Sequence, residues 1–338
     1  MEEGFPEMLR RRHLLASLPM LLPLPALAQG TSTPAQGEAW PTRAVRIIVT
    51  FPPGGTTDIL ARLMAERLGR AFGATFVVEN RAGAGGNIGT DLVAKAPADG
   101  HTLLLTTSGP HGSGPALFPN QPFDPMGDFT HIALLANPPN VLVVRPESPL
   151  RSLADLLAAA RANAARPLTY GSPGNGTLNH LNGEMLRLAA GIPLVHVPYR
   201  GAAPALTALL TGEIDLLFDT ISSSAPQVRD GRMRQLAMSS ATRIPAFPAV
   251  PTYVEQGLPD VVVQSWFGIS APRALPPALV ARLHEAVMRI VHEPEMTARL
   301  VELGSEPNRL TPAQFTSFVG GEIDRWKRVV TAAGIKMD

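Results

Sequence analysis

A strand-like run, a glycine turn and a helical run follow one another near the start of the sequence. The apolar run Val45–Thr50 leads into the turn Phe51–Asp58, which contains Gly54 and Gly55, and helical periodicity follows over Ile59–Phe72. A glycine pair lets the backbone approach a ligand closely, and a helix start directs unbonded N–H groups toward it. The turn therefore predicts an anion site that needs no basic side chain.

The same arrangement recurs farther along the chain. A short β-rich run leads into the glycine turn Tyr170–Thr177, and the helical run Leu178–Ala190 follows it. Neither turn contains a charged side chain except Asp58. Two such turns on one chain predict a cleft that holds a carboxylate or a similar anion from both sides.

Strand-like and helical runs alternate through most of the chain. Such alternation predicts parallel βαβ units and an α/β fold. Strands are predicted at 45–50, 76–79, 103–106, 141–144, 168–170, 195–197, 214–218 and 235–238, and the runs 261–263 and 268–270 lead into a helical tail. After residue 276 the pattern is helical to the end of the chain, because prolines begin three successive helical runs.

The order of these runs predicts two doubly wound α/β domains. Residues 43–138 together with 265–338 form the first, and residues 139–264 form the second, since the helical tail is too small for a core of its own. The chain then passes between domains twice, near 137–140 and near 264–268. Two crossings predict a hinge with a cleft between two lobes. Both glycine turns follow strands, where ligands of open α/β sheets bind.

Composition excludes several classes of function. The 338 residues carry a formal net charge of +1 and no cysteine. A near-neutral chain without aromatic RNA-binding signatures predicts no nucleic-acid partner. The missing cysteines exclude thiolate metal sites, cysteine nucleophiles and disulfides.

The N-terminus has the pattern of an export signal. Three arginines, Arg10–Arg12, precede the apolar run Leu14–Leu27, and Ala26–Ala28 is a small-x-small cleavage site. We predict a signal peptide at 1–28, a flexible lead-in at 29–42 and a soluble periplasmic protein. His13 stands where twin-arginine signals usually have Phe, so both the secretory and the twin-arginine routes stay open.

Cofactor and catalytic motifs fail on spacing. The glycine-rich run Gly83–Gly89 would need Gly at 88 for a dinucleotide fingerprint, and Ile88 is there. A nucleophile elbow around Ser172 would need Gly at 170, where Tyr170 stands. We predict no cofactor, no metal site and no catalytic residue.

Four polar residues near the two turns allow both a structural and a ligand-binding interpretation. Thr177 is an N-cap whose hydroxyl could also donate to a ligand. Asp58 suits a helix start, and His180 could simply pack on its own glycine loop. Asp219 ends an apolar strand before three serines and could bond either a neighbouring loop or a ligand hydroxyl or ammonium.

Several runs together resemble the Bug-type, or TctC-like, receptors, which are extracytoplasmic solute-binding proteins of tripartite tricarboxylate transporters. The similarity extends from about residue 40 to 338, and its combination of motifs is specific to that family. The matching runs are Pro52–Asp58, Glu79–Gly86, Pro97–Leu103, Gly171–Thr177, Val197–Gly201, Gly212–Asp215 and Trp266–Gly268.

This resemblance implies a two-lobed, type II periplasmic-binding fold with a carboxylate ligand between the lobes. It implies binding largely through backbone amides, small hydroxyls and ordered water. The ligand-binding positions that it implies are Gly54, Gly55, Thr56 and Asp58 on one lobe, Ser172, Gly176 and Thr177 on the other, and, from weaker matches, Thr107, Ser108 and Asp219.

The function implied is that of a monomeric periplasmic receptor. It captures a small carboxylate and delivers it to the permease subunits of a tripartite tricarboxylate transporter. One alternative is a sensor that passes its ligand-bound state to a membrane signalling partner, since the sequence has no readable docking signature. The other is a periplasmic hydrolase or lyase that uses Asp58, His180 or Asp219, although the sequence shows no nucleophile–base pair.

Overall fold

A computed structural model describes residues 40–335. The predicted signal peptide at 1–28 and most of the lead-in lie outside the described residues. The strands of the described part are β1 (Val45–Val49), β2 (Phe76–Asn80), β3 (Thr102–Thr107), β4 (Phe129–Ala136), β5 (Asn140–Val144), β6 (Leu168–Ser172), β7 (Leu194–Pro198), β8 (Leu216–Thr220), β9 (Arg234–Met238) and β10 (Phe267–Pro272).

Helices cover these strands. They are α1 (Thr56–Phe72), α2 (Asn87–Ala94), α3 (Gly114–Leu117), α4 (Leu153–Ala162), α5 (Leu178–Ala190), α6 (Ala202–Thr211), α7 (Ile221–Arg229), α8 (Pro277–Val291), α9 (Pro294–Glu302) and α10 (Pro312–Ala333). A 3₁₀ turn at Ala84–Gly86 precedes α2, and a π-helical turn at Gly109–Ser113 precedes α3. Among the described residues no helix is both apolar and long enough to cross a bilayer.

The strands form two five-stranded sheets. The first has the order β2-β1-β3-β10-β4, and the second has the order β7-β6-β8-β5-β9. In the first sheet Ile47 of β1 stands opposite Val78 and Leu103 in parallel register. The predicted α/β class is confirmed, and so are parallel units in both sheets.

Each sheet is nevertheless mixed rather than wholly parallel. Strand β10 is antiparallel to β3 and β4, and β5 is antiparallel to β8 and β9. These two strands lie where the chain arrives from the other sheet. A parallel pair of consecutive strands needs a crossover connection, usually a helix, to bring the chain back to the same end of the sheet. A strand that enters directly from another sheet has no such constraint, and here both of these strands pair antiparallel.

The sequence did not locate every element near these passages. Strand β4 was not predicted, although seven of its eight residues are buried. Of the two runs before the helical tail, 268–270 lies within β10, whereas 261–263 is not a strand. The Val263 backbone N–H donates to the Ser239 carbonyl, and the neighbouring Gln264 makes an isolated bridge to Pro139. The segment therefore carries the chain between sheets without joining either one.

The core of each sheet is formed by strands buried on both faces. All five residues of β5 and β8 are buried, as expected for central strands under helices. Of the helical tail, α8 and α10 pack against β4. Trp326 and Val330 of α10 also pack with Leu178 and Leu181 of α5, which belongs to the second sheet's layer.

The chain passes between the sheets twice, and the two passages lie side by side. Pro139 and Gln264 form an antiparallel bridge. The Ser265 hydroxyl donates to Asn140 Oδ1 at 2.8 Å, and the Asn140 backbone N–H donates to Ser239 Oγ at 2.8 Å. The passages are thus bonded to each other, and the first of them is also bonded to the start of α7, where the Ile221 backbone N–H donates to the Pro139 carbonyl.

Candidate functional site

A cavity with about 50 Å³ of space for a water-sized molecule lies between the two sheets. The lining comes from both sheets and from the passage between them: Phe51, Gly55, Thr56, Thr57, Thr107, Ser108, Gly109, Pro173, Thr177, Leu178, Asn179, Ala202, Asp219, Thr220, Ser223, Ser265 and Phe267. One lining side chain is acidic, and none is Lys, Arg or His.

Four helices begin at the cavity wall. Their first residues or N-caps are among the lining: Thr56 of α1, Leu178 of α5, Ala202 of α6 and Thr220 before α7. No side chain caps the start of α1, α6 or α7. Each helix start carries roughly half a positive charge, so the wall attracts anions without a basic residue.

The first glycine turn is held in place by Asp58. Its carboxylate accepts from the Gly54 backbone N–H at 3.2 Å, from Arg62 at 2.9 Å and from Asn80 at 3.0 Å. Burial acts to raise the pKa of Asp58, but bonds from Arg62, Asn80 and Gly54 outweigh it, so that the pKa is lowered. Asp58 is therefore ionised and engaged within the protein, and neither Asp58 nor Gly54 lines the cavity.

Two hydroxyls on this side of the cavity have no protein partner. Thr56 and Thr107 are 5% and 4% exposed, and neither Oγ1 makes a hydrogen bond within the described part of the chain. A buried hydroxyl without a partner is unfavourable unless a ligand or water supplies one. Together with Gly55 and Ser108, these residues form the part of the predicted site that lies on the wall.

In the second glycine turn the side chains bond to the turn itself. Thr177 Oγ1 donates to the Gly174 carbonyl at 2.7 Å and accepts from the His180 backbone N–H at 3.3 Å. The Gly176 backbone N–H donates to His180 Nδ1 at 3.3 Å. Thr177 lines the cavity with its hydroxyl already engaged, whereas Gly176 and Ser172 do not line it.

Stacked aromatic rings support this second turn from behind. The rings of His180 and His196 lie 4.1 Å apart, and Tyr170 stacks on His196 at 4.9 Å. Burial lowers the pKa of both histidines, and the neighbouring His180 adds to the effect on His196, whose pKa falls to about 3. Both rings are therefore neutral at physiological pH.

Ser172 lies next to this stack. Its Oγ is 2.7 Å from His196 Nε2, a serine–histidine contact that the sequence did not indicate. Parallel pairing of β6 with β7 creates it, because Tyr170 stands opposite His196. Ser172 is fully buried outside the cavity, and a histidine with a pKa near 3 is a poor general base at neutral pH. The contact therefore supports the turn rather than a reaction.

Asp219 is the acidic lining residue, and it is almost completely buried. Its Oδ2 accepts from Ser223 Oγ at 2.5 Å. Burial raises the pKa of Asp219 to about 7, and hydrogen bonds from the Ser223 hydroxyl and the Thr220 backbone oppose that rise only in part.

Sequence reasoning missed several lining residues. Asn179 lies in the first turn of α5, and Ser265 lies in the passage between sheets. Ser223 is four residues after Asp219, on the helix that follows it. Asn179 and Ser223 lie just after helix starts, and that position was the available signal. Phe51 and Phe267 lie in motifs named from the sequence, but the apolar surface that they add to the cavity was not predicted.

Contacts across the cavity mouth join the two sides. A Cβ placed on Gly55 would lie 3.5 Å from Ala202 Cβ, and one on Gly85 would lie 2.8 Å from the Asn175 carbonyl oxygen. The Ser113 hydroxyl donates to the Gly176 carbonyl at 2.9 Å. Loops from the two sides therefore touch each other beside the cavity.

Two α/β sheets, a cavity between them and helix starts on its walls define a solute-binding protein of the type II periplasmic-binding fold. The predicted fold is confirmed by solved structures of periplasmic binding proteins that superpose on this chain. The family model described as "Tripartite tricarboxylate transporter family receptor", TctC, matches residues 60–335, and the chain belongs to this family.

Relatives agree with this assignment. Protein BugT of Bordetella pertussis is 35% identical over 309 residues, which cover 91% of this chain and 94% of BugT. The structure of R. palustris Rpa4515 with adipate is 39% identical, with a TM-score of 0.85, and covers 88% of this chain and 99% of its own. MatC from Rhodopseudomonas palustris with bound malate is 34% identical, with a TM-score of 0.82, and covers 86% and 100%.

These findings exclude the enzyme alternative. The family and its structural neighbours are substrate-binding receptors, not enzymes. The predicted resemblance to Bug-type, TctC-like receptors is confirmed.

Proposed function

We propose that this protein captures a small carboxylate-bearing metabolite in the cavity and delivers it to the permease subunits of a tripartite tricarboxylate transporter. The observation that carries the proposal is a cavity walled by helix starts, with unpartnered threonine hydroxyls and no basic side chain. Neighbours with bound adipate and malate support a carboxylate as the ligand class.

The proposed contacts fall into two groups. On the first side, Gly55, Thr56, Thr107 and Ser108 offer backbone N–H groups and hydroxyls. On the second side, Thr177 contributes its backbone, because its hydroxyl is engaged. Gly54, Asp58, Ser172 and Gly176 act indirectly, by holding the two turns in shape.

The proposed energetics suit a transport receptor. A desolvated hydrogen bond to a charged group contributes roughly 1.5–3 kcal/mol. Several such bonds, less the free energy of closure, make micromolar affinity attainable, which corresponds to about 8 kcal/mol. Ligand touching both sides favours the closed form by its differential affinity for the two forms.

A proposed hinge lies at the paired passages 137–140 and 264–268. Residues 43–138 with 265–338 would move as one lobe, and 139–264 as the other. We also propose export to the periplasm as a monomer, after cleavage of a signal peptide at 1–28. Mass spectrometry of the exported protein tests the cleavage before Gln29, and small-angle scattering with and without ligand tests the closure and the monomeric state.

A thermal-shift screen against small carboxylates tests the ligand class. The protein is freed of ligand by denaturation and refolding, and its melting temperature is measured with mono-, di- and tricarboxylates. At 100 times the dissociation constant, a ligand adds about 2.7 kcal/mol of stability. Stabilisation by carboxylates and not by the matching amides supports the proposal. No stabilisation by any carboxylate would refute it.

Delivery is tested separately by uptake of the labelled ligand in cells with and without this protein. Loss of uptake on deletion supports a transport receptor. Unchanged uptake together with a lost transcriptional response to the ligand would instead support the sensor alternative.

A further inference from the structure

Asp219 is an unexpected residue in a cavity whose walls attract anions. It is 1% exposed and is the next-to-last residue of β8, directly before the N-cap of α7. A carboxylate ligand placed beside an ionised Asp219 would be repelled. Anion binding by the helix starts therefore does not explain why an acidic residue lines the cavity.

The hydrogen-bonding capacity of Asp219 is only partly used. Ser223 Oγ donates to Oδ2 at 2.5 Å, and the Thr220 backbone N–H also bonds the carboxylate. An ionised carboxylate has about four lone-pair sites, so roughly two stay open. No Lys, Arg or His is among the lining residues to fill them.

A buried carboxylate without a cationic partner is unfavourable unless hydrogen-bond donors from the protein, a ligand or water satisfy its oxygens. Ser223 fixes the orientation of the Asp219 side chain, and the open lone pairs belong to a residue that lines the cavity. Burial raises the pKa of Asp219 to about 7. At pH 8 the group is therefore ionised and accepts hydrogen bonds only.

We propose that Asp219 determines specificity by accepting a hydrogen bond from a hydroxyl or ammonium group that the ligand bears in addition to its carboxylate. The inference rests on the proposed carboxylate-binding function and narrows its substrate class. Hydroxy acids and amino acids have the same complementary group, an O–H or N–H donor, and a bare dicarboxylate lacks it. An ammonium group binds more tightly than a hydroxyl, because it also neutralises the buried charge.

Matched ligand pairs test the proposal at pH 8. Calorimetry compares succinate with malate and aspartate, glutarate with 2-hydroxyglutarate and glutamate, and 3-phenylpropionate with phenyllactate and phenylalanine. Within the set that the protein binds, we expect the donor-bearing acid to bind at least tenfold more tightly than the bare acid. A site that bonds a ligand hydroxyl discriminates strongly against the analogue without it.

The variant Asp219→Asn sharpens the test. It should bind the bare acid within a few-fold of wild type and lose most of the preference for the donor-bearing acids. Ser223→Ala should reduce the preference in the same direction, since it removes the bond that orients the carboxylate. The control Asp260→Asn makes the same charge change at an exposed position outside the cavity and should leave all affinities unchanged.

The outcomes separate this inference from the proposed function. If wild type binds bare acids as tightly as their hydroxy and amino analogues, the inference is wrong although the carboxylate function stands. Retention of the full preference for donor-bearing acids by Asp219→Asn would also overturn it, because Asp219 would then not be the acceptor. If wild type binds none of these acids or any other carboxylate, the proposed function itself fails.

Discussion

The two glycine turns look alike in sequence but differ in how their polar groups are used. In the first turn, Asp58 bonds the turn from below, and the hydroxyl of Thr56 is left without a protein partner. In the second, Thr177 and Ser172 both bond within the protein, and His180 accepts from Gly176. The Thr56 hydroxyl of the first turn therefore stays available to a ligand, whereas the side chains of the second turn form hydrogen bonds within the protein.

This difference teaches that a shared motif does not imply a shared role. A helix start with a glycine N-cap, as at Gly55, has only backbone to present. A helix start with a threonine N-cap, as at Thr177, is more rigid, but its hydroxyl is consumed. We therefore expect substitutions in the first turn to affect ligand affinity and those in the second to affect stability.

The largest effect on affinity is expected from Gly55→Val. Gly55 has φ −88° and ψ 171°, which any residue adopts, so the fold should be retained. A Cβ there already lies 3.5 Å from Ala202, and the two further methyl groups of valine would occupy the approach to the start of α1. Loss of two charge-assisted bonds amounts to about 3 kcal/mol or more, which is at least a hundredfold in affinity.

Calorimetry on the folded variant measures this effect, and Gly55→Ala provides a graded control with a smaller loss. Circular dichroism and the melting temperature verify folding. Wild-type affinity in a folded Gly55→Val protein would show that the first turn does not hold the ligand.

A pH dependence of stability is expected from the second turn. His196 has a pKa of about 3 when folded and about 6.5 when unfolded, so between these values the unfolded chain binds more protons. Its contribution to stability is complete above pH 6.5 and is lost as the pH falls. At pH 5 the loss is about 2 kcal/mol. Asp58, whose pKa is lowered from 3.8, loses its contribution only below about pH 4.

Denaturant unfolding of wild type and His196→Asn between pH 5 and 7 measures this contribution. Buried His111 and His131 also have lowered pKa values and destabilise both proteins alike on acidification. His180 also has a lowered pKa and stacks on His196, so the difference between the proteins reports the stacked pair. Equal slopes for the two proteins would mean that His196 is not held neutral by the fold.

Much of the fold follows from local pattern, and the remainder depends on distant pairing. Strand β1, its glycine turn and α1 were predictable because an apolar run, a pair of glycines and a helical periodicity follow one another directly in the sequence. Strand β4 was not, since it is buried on both faces, contains His131 and pairs only with the distant β10. No local period distinguishes such a run from a buried helix segment.

The candidate site divides in the same way. Thr107 and Asp219 lie in the last two residues of their strands and Thr56 begins α1, positions that sequence can locate, and all three line the cavity. Ser172 is the last residue of β6, yet a histidine on the neighbouring strand engages it. The position of a motif predicts which end of the sheet a residue occupies, but it does not predict which neighbouring residue will form hydrogen bonds with it.

Valine substitutions of threonines compare the turns directly. Thr56→Val and Thr107→Val should each weaken ligand binding about tenfold or more without loss of stability, because each removes a hydroxyl that has no protein partner. Thr177→Val should lower stability by about 1 kcal/mol through loss of the N-cap, with little effect on affinity. Calorimetry and denaturant unfolding on all three variants measure both quantities. A large affinity loss confined to Thr177→Val would reverse the assignment of the two turns.

The smallest effect is expected from Ser113→Ala, which tests how the second turn takes part in closure. Ser113 Oγ donates to the Gly176 carbonyl at 2.9 Å, and this bond joins the second turn to the π-helical turn beside the first sheet. Because the bond exists only when the two sides meet, its loss should weaken the closed form by about 1 kcal/mol and the affinity by roughly fivefold. Ser317→Ala, which removes an exposed helix bond within α10, serves as the control. Equal affinities for both variants would show that closure is driven by the ligand alone, and the second turn would then act only as a support for its own helix.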